Sequence, residues 1–211
     1  TNSSSGGYNL FGGSGIDLLT GAADVDKLDG GGNNDILDGA GGADNLTGGD
    51  GNDTLTGGDG NDTFKVTSGT DLITDLTTGD ILIVSVSAAV NAVNVSNFIA
   101  TSATSNSGVA NLTAGDLGSI MTLTNSSSGA YTLIGGNWVD FITGGDEDDG
   151  LFGIVADDVL DGAGGNDVLT GGIGNDTFKV TSGTDLITDL TTGDILVVSS
   201  GATANATGIS N

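Results

Sequence analysis

An Asp and an apolar residue recur together every nine residues, always two apart, and no other feature restricts the possible folds as strongly. Gly48-Gly-Asp-Gly-Asn-Asp53-Thr-Leu55-Thr56 runs directly into Gly57-Gly-Asp-Gly-Asn-Asp62-Thr-Phe64-Lys65. In this register acids stand at Asp17, Asp26, Asp35, Asp44, Asp53, Asp62, Asp71 and Asp80. Their apolar companions are Leu19, Leu28, Leu37, Leu46, Leu55, Phe64, Ile73 and Leu82, and Leu10 opens the column one turn earlier, where Tyr8 replaces Asp. A short unit repeated at a fixed period cannot bury its apolar face alone; it must stack on its neighbours, which is the logic of a solenoid.

A longer repeat overlies the short one. Thr1–Gly6 returns as Thr124–Gly129, and Gly60–Leu82 returns unchanged as Gly174–Leu196, so the second copy has lost one nonapeptide. Its acids are Asp140, Asp149, Asp158, Asp167, Asp176, Asp185 and Asp194. Residues 83–123 between the arrays are rich in Val, Ala, Asn, Ser and Thr, with Asp116 as their one acid, and the alternation of Val84 with Val86 and of Met121 with Leu123 favours short strands. The expected organisation is a first roll over 1–82, a spacer over 83–123 that is either a linker or, by preference, a metal-free extension of the roll, a second roll over 124–197, and the start of a second spacer over 198–211.

Composition removes most alternatives. The chain has 28 acids against 3 basic residues and a formal net charge of -25, so no cationic surface exists to meet phosphates and nucleic acid is excluded as a partner. No apolar run is longer than Ile81–Val84, which spans no bilayer, and no membrane insertion is expected. With no His and no Cys there is neither a Ser–His nor a Cys–His nucleophile pair, nor a zinc site of the usual kind. Acidity with few aromatics ordinarily reads as disorder, but an apolar column held in phase with the acids makes no sense in a disordered chain.

Gly at positions one, two and four of each turn permits φ > 0 and lets carbonyls converge without Cβ clashes. Asp at position six has a short side chain that returns to its own turn, where Glu would overshoot; Glu147 is the one Glu. The residues around position eight form a brief strand with its apolar side chain inward. Because every N–H is needed between coils, the absence of proline fits. Stacked carboxylates repel unless cations lie between them. A donor set of carboxylates and backbone carbonyls selects Ca²⁺ over zinc or copper, and over Mg²⁺, which retains its waters.

The pattern resembles the repeats-in-toxin (RTX) family and its motif Gly-Gly-x-Gly-x-Asp-x-U-x, U being a large apolar residue, over about 3–82 and 126–197. The resemblance implies an all-β, right-handed parallel β-roll with two turns per coil. It also implies a Ca²⁺ between turns i and i+2 on one side, held by two Asp residues and turn carbonyls. Carried onto this chain, the best pairs are Asp44 with Asp62, Asp53 with Asp71, and Asp167 with Asp185. Asp35/Asp53 and Asp158/Asp176 depart from the motif at Asn33 and Ala156. Trp138 and Glu147 take position four in the turns of Asp140 and Asp149. The metal ligands expected are thus Asp17, Asp26, Asp35, Asp44, Asp53, Asp62, Asp71, Asp80, Asp149, Asp158, Asp167, Asp176, Asp185 and Asp194, with carbonyls of Gly39, Gly48, Gly57, Gly162 and Gly171. Up to about eleven i/i+2 pairs exist, and that many Ca²⁺ would leave a charge of about −3.

No catalytic residue is expected: Asp148–Asp149 and Asp157–Asp158 lack any nucleophile–base partner, and Trp138 reads as packing within a degraded turn. The reading that follows is a calcium-binding structural module, not an enzyme, of a secreted bacterial surface, matrix or filament protein, exported by type I secretion and folding on extracellular Ca²⁺. The alternative is the secretion and folding module of an exoenzyme or toxin whose catalytic domain lies outside this fragment; the long duplication speaks against it. An ice-binding or adhesive solenoid ranks lower, since outward positions such as Ile36/Asp38 and Thr63/Lys65 form no uniform Thr stripe. Neither terminus resembles a strong cap, so copies are expected to continue end to end.

Overall fold

The computed structural model describes residues 6–115, 117–126 and 128–209; Asp116 lies outside them. Among the described residues there is no helix, and all paired strands run parallel. The chain winds as a β-solenoid of about eleven coils, each contributing one strand to either side. One side is a single eleven-stranded sheet from Leu18–Thr20 to Thr203–Ala206. The other is divided into two six-stranded sheets: Asn9–Gly13 through Ile81–Val84 to Ser105–Asn106, then Phe98–Ile99 through Phe141–Thr143 to Ile195–Val198.

The local cause is the nine-residue pattern. Three residues around position eight pair with the coils above and below, and glycine-containing turns reverse the chain between them. Thr54–Thr56 shows the unit: Leu55 is fully buried while both threonines are partly exposed. It pairs with Ile36–Asp38 below and Thr70–Ile73 above, always 18 residues away. Leu28, Leu46, Phe64 and Leu82 from one side meet Leu37, Leu55 and Ile73 from the other in a core one side chain deep per strand, all fully buried. Burying such a side chain contributes about 1.5–3 kcal/mol, and the apolar stack runs the length of the molecule.

The sheets continue through the residues between the arrays, where coils are longer. Ala89 pairs with Thr70, Val109 with Ala89, and Thr132 with Asn111, steps of 19, 20 and 21 residues. Val90 stands above Asp71, Ala110 above Val90, and both side chains are buried. The acid column therefore passes into an apolar one. Beyond it, Leu133, Leu151, Leu169 and Ile187 resume the buried column.

Candidate metal centre

Coiling in steps of 18 separates the acids into two columns per array, one under each side of the solenoid. Asp17, Asp35, Asp53 and Asp71 share one side, and Asp26, Asp44, Asp62 and Asp80 the other. In the second array Asp149, Asp167 and Asp185 line one side, while Asp140, Asp158, Asp176 and Asp194 line the other. Thirteen of these carboxylate residues are nearly or fully inaccessible to solvent; Asp17 and Asp194, at the ends, are partly covered.

One oxygen of each buried carboxylate is held by the preceding coil's main chain. The N–H of Asp26 donates to Oδ1 of Asp44 at 2.6 Å, that of Asp35 to Asp53 at 2.8 Å, and that of Asp44 to Asp62 at 2.8 Å. Asp158 and Asp176, and Asp167 and Asp185, repeat the contact at 2.9 and 3.1 Å. The five i/i+2 pairings picked out by the motif are all brought together in this way, including the two whose position four is Asn33 or Ala156. Those residues adopt φ of 74° and 89°, the conformation glycine takes at the same place in neighbouring turns.

The other oxygen decides the chemistry. Oδ2 of Asp17, Asp35, Asp44, Asp53, Asp71, Asp158, Asp167 and Asp185 is buried with no hydrogen-bond partner. A buried carboxylate oxygen without a donor costs several kcal/mol unless a cation reaches it. Main-chain oxygens converge beside it. A Cβ built on Gly39 would stand 2.4 Å from Oδ2 of Asp44 and 2.6 Å from the carbonyl oxygen of Gly57. On Gly30 the same atoms are Oδ2 of Asp35 and the carbonyl of Gly48; on Gly153, Oδ2 of Asp158 and the carbonyl of Gly171. The carbonyls of Gly39 and Gly162 face Asp26 and Asp149 likewise, from above Gly21 and Gly144. Each of these glycines lies where a carboxylate oxygen and a main-chain carbonyl oxygen approach the backbone too closely for any side chain. Position-one glycine is thus required by close approach, not by a positive φ, whereas a positive φ is used at position two by Gly31 and Gly49 and at position four by Gly42 and Gly51.

No three acidic side chains converge on one point among the described residues. The donor sets combine carboxylate with main-chain carbonyls, which suits the hard, flexible coordination of Ca²⁺. Proton affinity records the same strain. Burial, reinforced by neighbouring carboxylates, pushes Asp71, Asp158 and Asp167 up to about 7 and Asp62 up to about 6.

Five acids differ: their second oxygen is satisfied by the protein. Oδ2 of Asp26 accepts from the N–H of Ala22 at 2.6 Å, that of Asp140 from Gly136 at 2.7 Å, and that of Asp149 from Gly145 at 2.6 Å. Asp80 and Asp194 accept from the N–H and Oγ1 of Thr77 and Thr191. Asp140 is fully buried in the column although it is absent from the ligands expected from sequence.

Two further supports lie outside the acid register. Asp75 closes the Gly57–Gly58 turn by accepting both amides, at 3.0 and 2.7 Å, and Asp189 does the same for Gly171 and Gly172. At position five, Oδ1 of Asn34 accepts from the N–H of Asn52, and Oδ1 of Asn52 from the N–H of Thr70. Asp148 and Asp157 play this Asn role toward Asn166 and Asn175. The recurrence of Asn before Asp at 34, 52, 61, 166 and 175 is the sequence signal for that ladder. Trp138 is 60% exposed, so it does not serve the packing role expected of it; its turn projects it outward. Tyr131 is buried, and its N–H donates to Oδ1 of Asp149 at 2.7 Å, so it heads the second array's column.

The family model of the RTX calcium-binding nonapeptide repeat, a unit of four copies, matches residues 11–46, 38–73 and 155–187. No curated protein matches the chain.

Proposed function

We propose that this chain, whose residues 11–73 and 155–187 are RTX calcium-binding nonapeptide repeats, is a calcium-folded structural module of a secreted bacterial surface, matrix or filament protein. The observation that carries the reading is the set of eight buried, partnerless Oδ2 atoms, each at the base of a turn. Asp17, Asp35, Asp44, Asp53, Asp71, Asp158, Asp167 and Asp185 would hold the ions, with Asp62 and Asp176 in the same columns and carbonyls of Gly48, Gly57 and Gly171 beside them. When bound, Ca²⁺ supplies the positive charge that lets these columns close. The chain's own part is to hold Oδ1 in the amide ladder, which fixes each carboxylate and aims Oδ2 at the carbonyls.

Secretion and the low-calcium cytosol give this design its use: the chain leaves unfolded and closes outside, where Ca²⁺ modules bind at about 10⁻⁴–10⁻³ M. A structural role is favoured over an exoenzyme module by the near-identical duplication. A second copy of the same unit, stacked on the strand Ile195–Val198, is the proposed partner. Leu196 and Val198 there are the counterparts of Leu82 and Val84, whose strand pairs with Ser105–Asn106 of the following coil. Circular dichroism of the chelated protein, followed by Ca²⁺ titration, tests the reading. Recovery of β signal with bound ions supports it, and a fold indifferent to chelation sinks it. Sedimentation of the calcium-loaded protein at rising concentration tests the stacking, which replacement of Leu196 and Val198 by Lys should abolish.

A further inference from the structure

The two kinds of acid are not scattered. In six of the eight turns with a partnerless Oδ2, position two has a positive φ: Gly13, Gly31, Ala40, Gly49, Ile154 and Ala163. In the turns of Asp26, Asp140 and Asp149 position two is Ala22, Gly136 and Gly145, none of them in the left-handed region, and its N–H points at Oδ2 instead. One peptide orientation leaves the oxygen open to a cation; the other fills it with an amide. Four of the five amide-filled acids border the spacers: Asp80 before the first, Asp140 and Asp149 after it, and Asp194 before the start of the second. Between Asp80 and Asp140 the column under the eleven-stranded sheet holds Val90 and Ala110 in place of acids. The core there is Val84, Val90, Val95, Phe98, Leu112 and Met121, all buried.

Resting on the calcium reading above, we infer that residues 80–149 form a calcium-independent segment that keeps its coils when the arrays on either side lose their ions. Among its described residues there is no buried carboxylate oxygen without a hydrogen-bond partner. Under the eleven-stranded sheet its column is apolar at Val90 and Ala110, and both oxygens of Asp80, Asp140 and Asp149 at its ends accept main-chain N–H donors, each charged hydrogen bond contributing more than a neutral one. Its exposed coil edges then present pre-paired strands to the flanking arrays. The costly first coil is already in place when Ca²⁺ arrives, and each array extends from it by nearest-neighbour stacking.

Hydrogen exchange read by mass spectrometry on this chain, in EGTA and in millimolar Ca²⁺, tests the inference. The expected result is that amides of Ala89–Val95, Val109–Ala114 and Phe141–Thr143 keep their protection in EGTA, while those of Asn45–Asp50 and Val168–Ile173 lose it and regain it with Ca²⁺. Loss of protection along the whole chain together in EGTA overturns the inference and leaves the calcium reading intact. Protection unchanged everywhere by EGTA overturns both. A pair of variants gives an independent reading. Asp44→Asn should reduce the number of ions bound, counted by calorimetry, without altering protection of the segment in EGTA. Asp149→Asn, which sets an amide N–H against that of Gly145, should weaken that protection and leave the ion count unchanged. A lower ion count for Asp149→Asn overturns the inference.

Discussion

The main-chain N–H of Asp35 donates to Oδ1 of Asp53, one coil on, at 2.8 Å, while Oδ2 of the same Asp53 is buried with no partner. The two oxygens of one carboxylate thus do different work. Oδ1 splices adjacent coils whether or not an ion is present, and Oδ2 creates the demand for one.

Asp53→Asn separates these tasks. The amide oxygen still accepts the Asp35 N–H, so the ladder survives, but the charge at the open position is gone. The Ca²⁺ concentration at half-folding is expected to rise by about tenfold, since carboxylate count is a main determinant of affinity in such sites. The calcium-free protein should not be weakened, because a buried unpaired charge has been removed. Titration followed by circular dichroism checks both, and an unchanged midpoint would remove Asp53 from the ligands.

Without Ca²⁺, acid should stabilise the fold. Asp71, Asp158 and Asp167 are raised by burial from 3.8 to about 7, and Asp62 to about 6, whereas the unfolded chain titrates near the ordinary value. Between those limits the folded protein holds more protons than the unfolded one, so its stability falls as pH rises. The contribution is fully present below 3.8 and gone above about 7. Urea midpoints of the calcium-free protein should therefore be higher at pH 5 than at pH 8. With saturating Ca²⁺ the order should invert, because protons compete with the ions for the same oxygens. A calcium-free midpoint that climbs from pH 5 to 8 would contradict the assignment of buried, partnerless carboxylates.

Much of this was legible in the sequence, and the gaps have physical causes. A period of nine with Asp53 and Leu55 in phase dictates a solenoid with a buried apolar column and an acid column beside it. What the period cannot reveal is which way a peptide points. Gly144-Gly145 and Gly48-Gly49 look alike, yet the Gly145 N–H fills Oδ2 of Asp149 while Gly49, at φ 105°, leaves Asp53 open. Asp75 and Asp189 act through space on turns 17 and 18 residues away and sit at a position the motif reserves for glycine. In the middle of the chain coil length varies from 19 to 23 residues, so no fixed offset marks Val90 and Ala110 as successors of Asp71.

Two glycines in acid turns should respond oppositely to the same change. A Cβ on Gly48 would stand 2.3 Å from Oδ2 of Asp53 and 2.9 Å from Oδ2 of Asp71. Gly48→Ala must push both carboxylates away, with a stability loss of about 1–3 kcal/mol as in other overpacked sites and weaker Ca²⁺ binding. On Gly15 the nearest atom to a Cβ is Oδ2 of Asp17 at 4.0 Å, and the backbone is not left-handed there. Gly15→Ala should be neutral or stabilising by up to about 1 kcal/mol, through the unfolded chain. Thermal unfolding in Ca²⁺ of the two variants distinguishes them; equal losses would mean that crowding at the carboxylates does not set the glycine requirement.

Ile154 occupies position two of the Asp158 turn at φ 86°, a conformation that a β-branched residue adopts only under strain. Its neighbours hold it there: the carbonyl of Ile154 packs against the coil above, where a Cβ on Gly172 would come within 2.2 Å of it. The side chain is 43% exposed, so little burial is forfeited by its removal. Ile154→Gly relieves a strain of about 1–3 kcal/mol against an entropic cost of about 0.5–1 kcal/mol for the added glycine. The net expectation is a gain of about 1 kcal/mol in the calcium-loaded protein, together with folding at lower Ca²⁺, because the turn is then pre-shaped for the ion. Ile187→Gly provides the contrast. That residue is fully buried in the apolar column and lies on an extended strand, so its loss should cost at least the about 2–5 kcal/mol of an Ile→Ala change in a core. Denaturant midpoints and calcium titrations of both variants decide the matter: if Ile154→Gly also destabilises, the left-handed turn is not where the second array stores its strain.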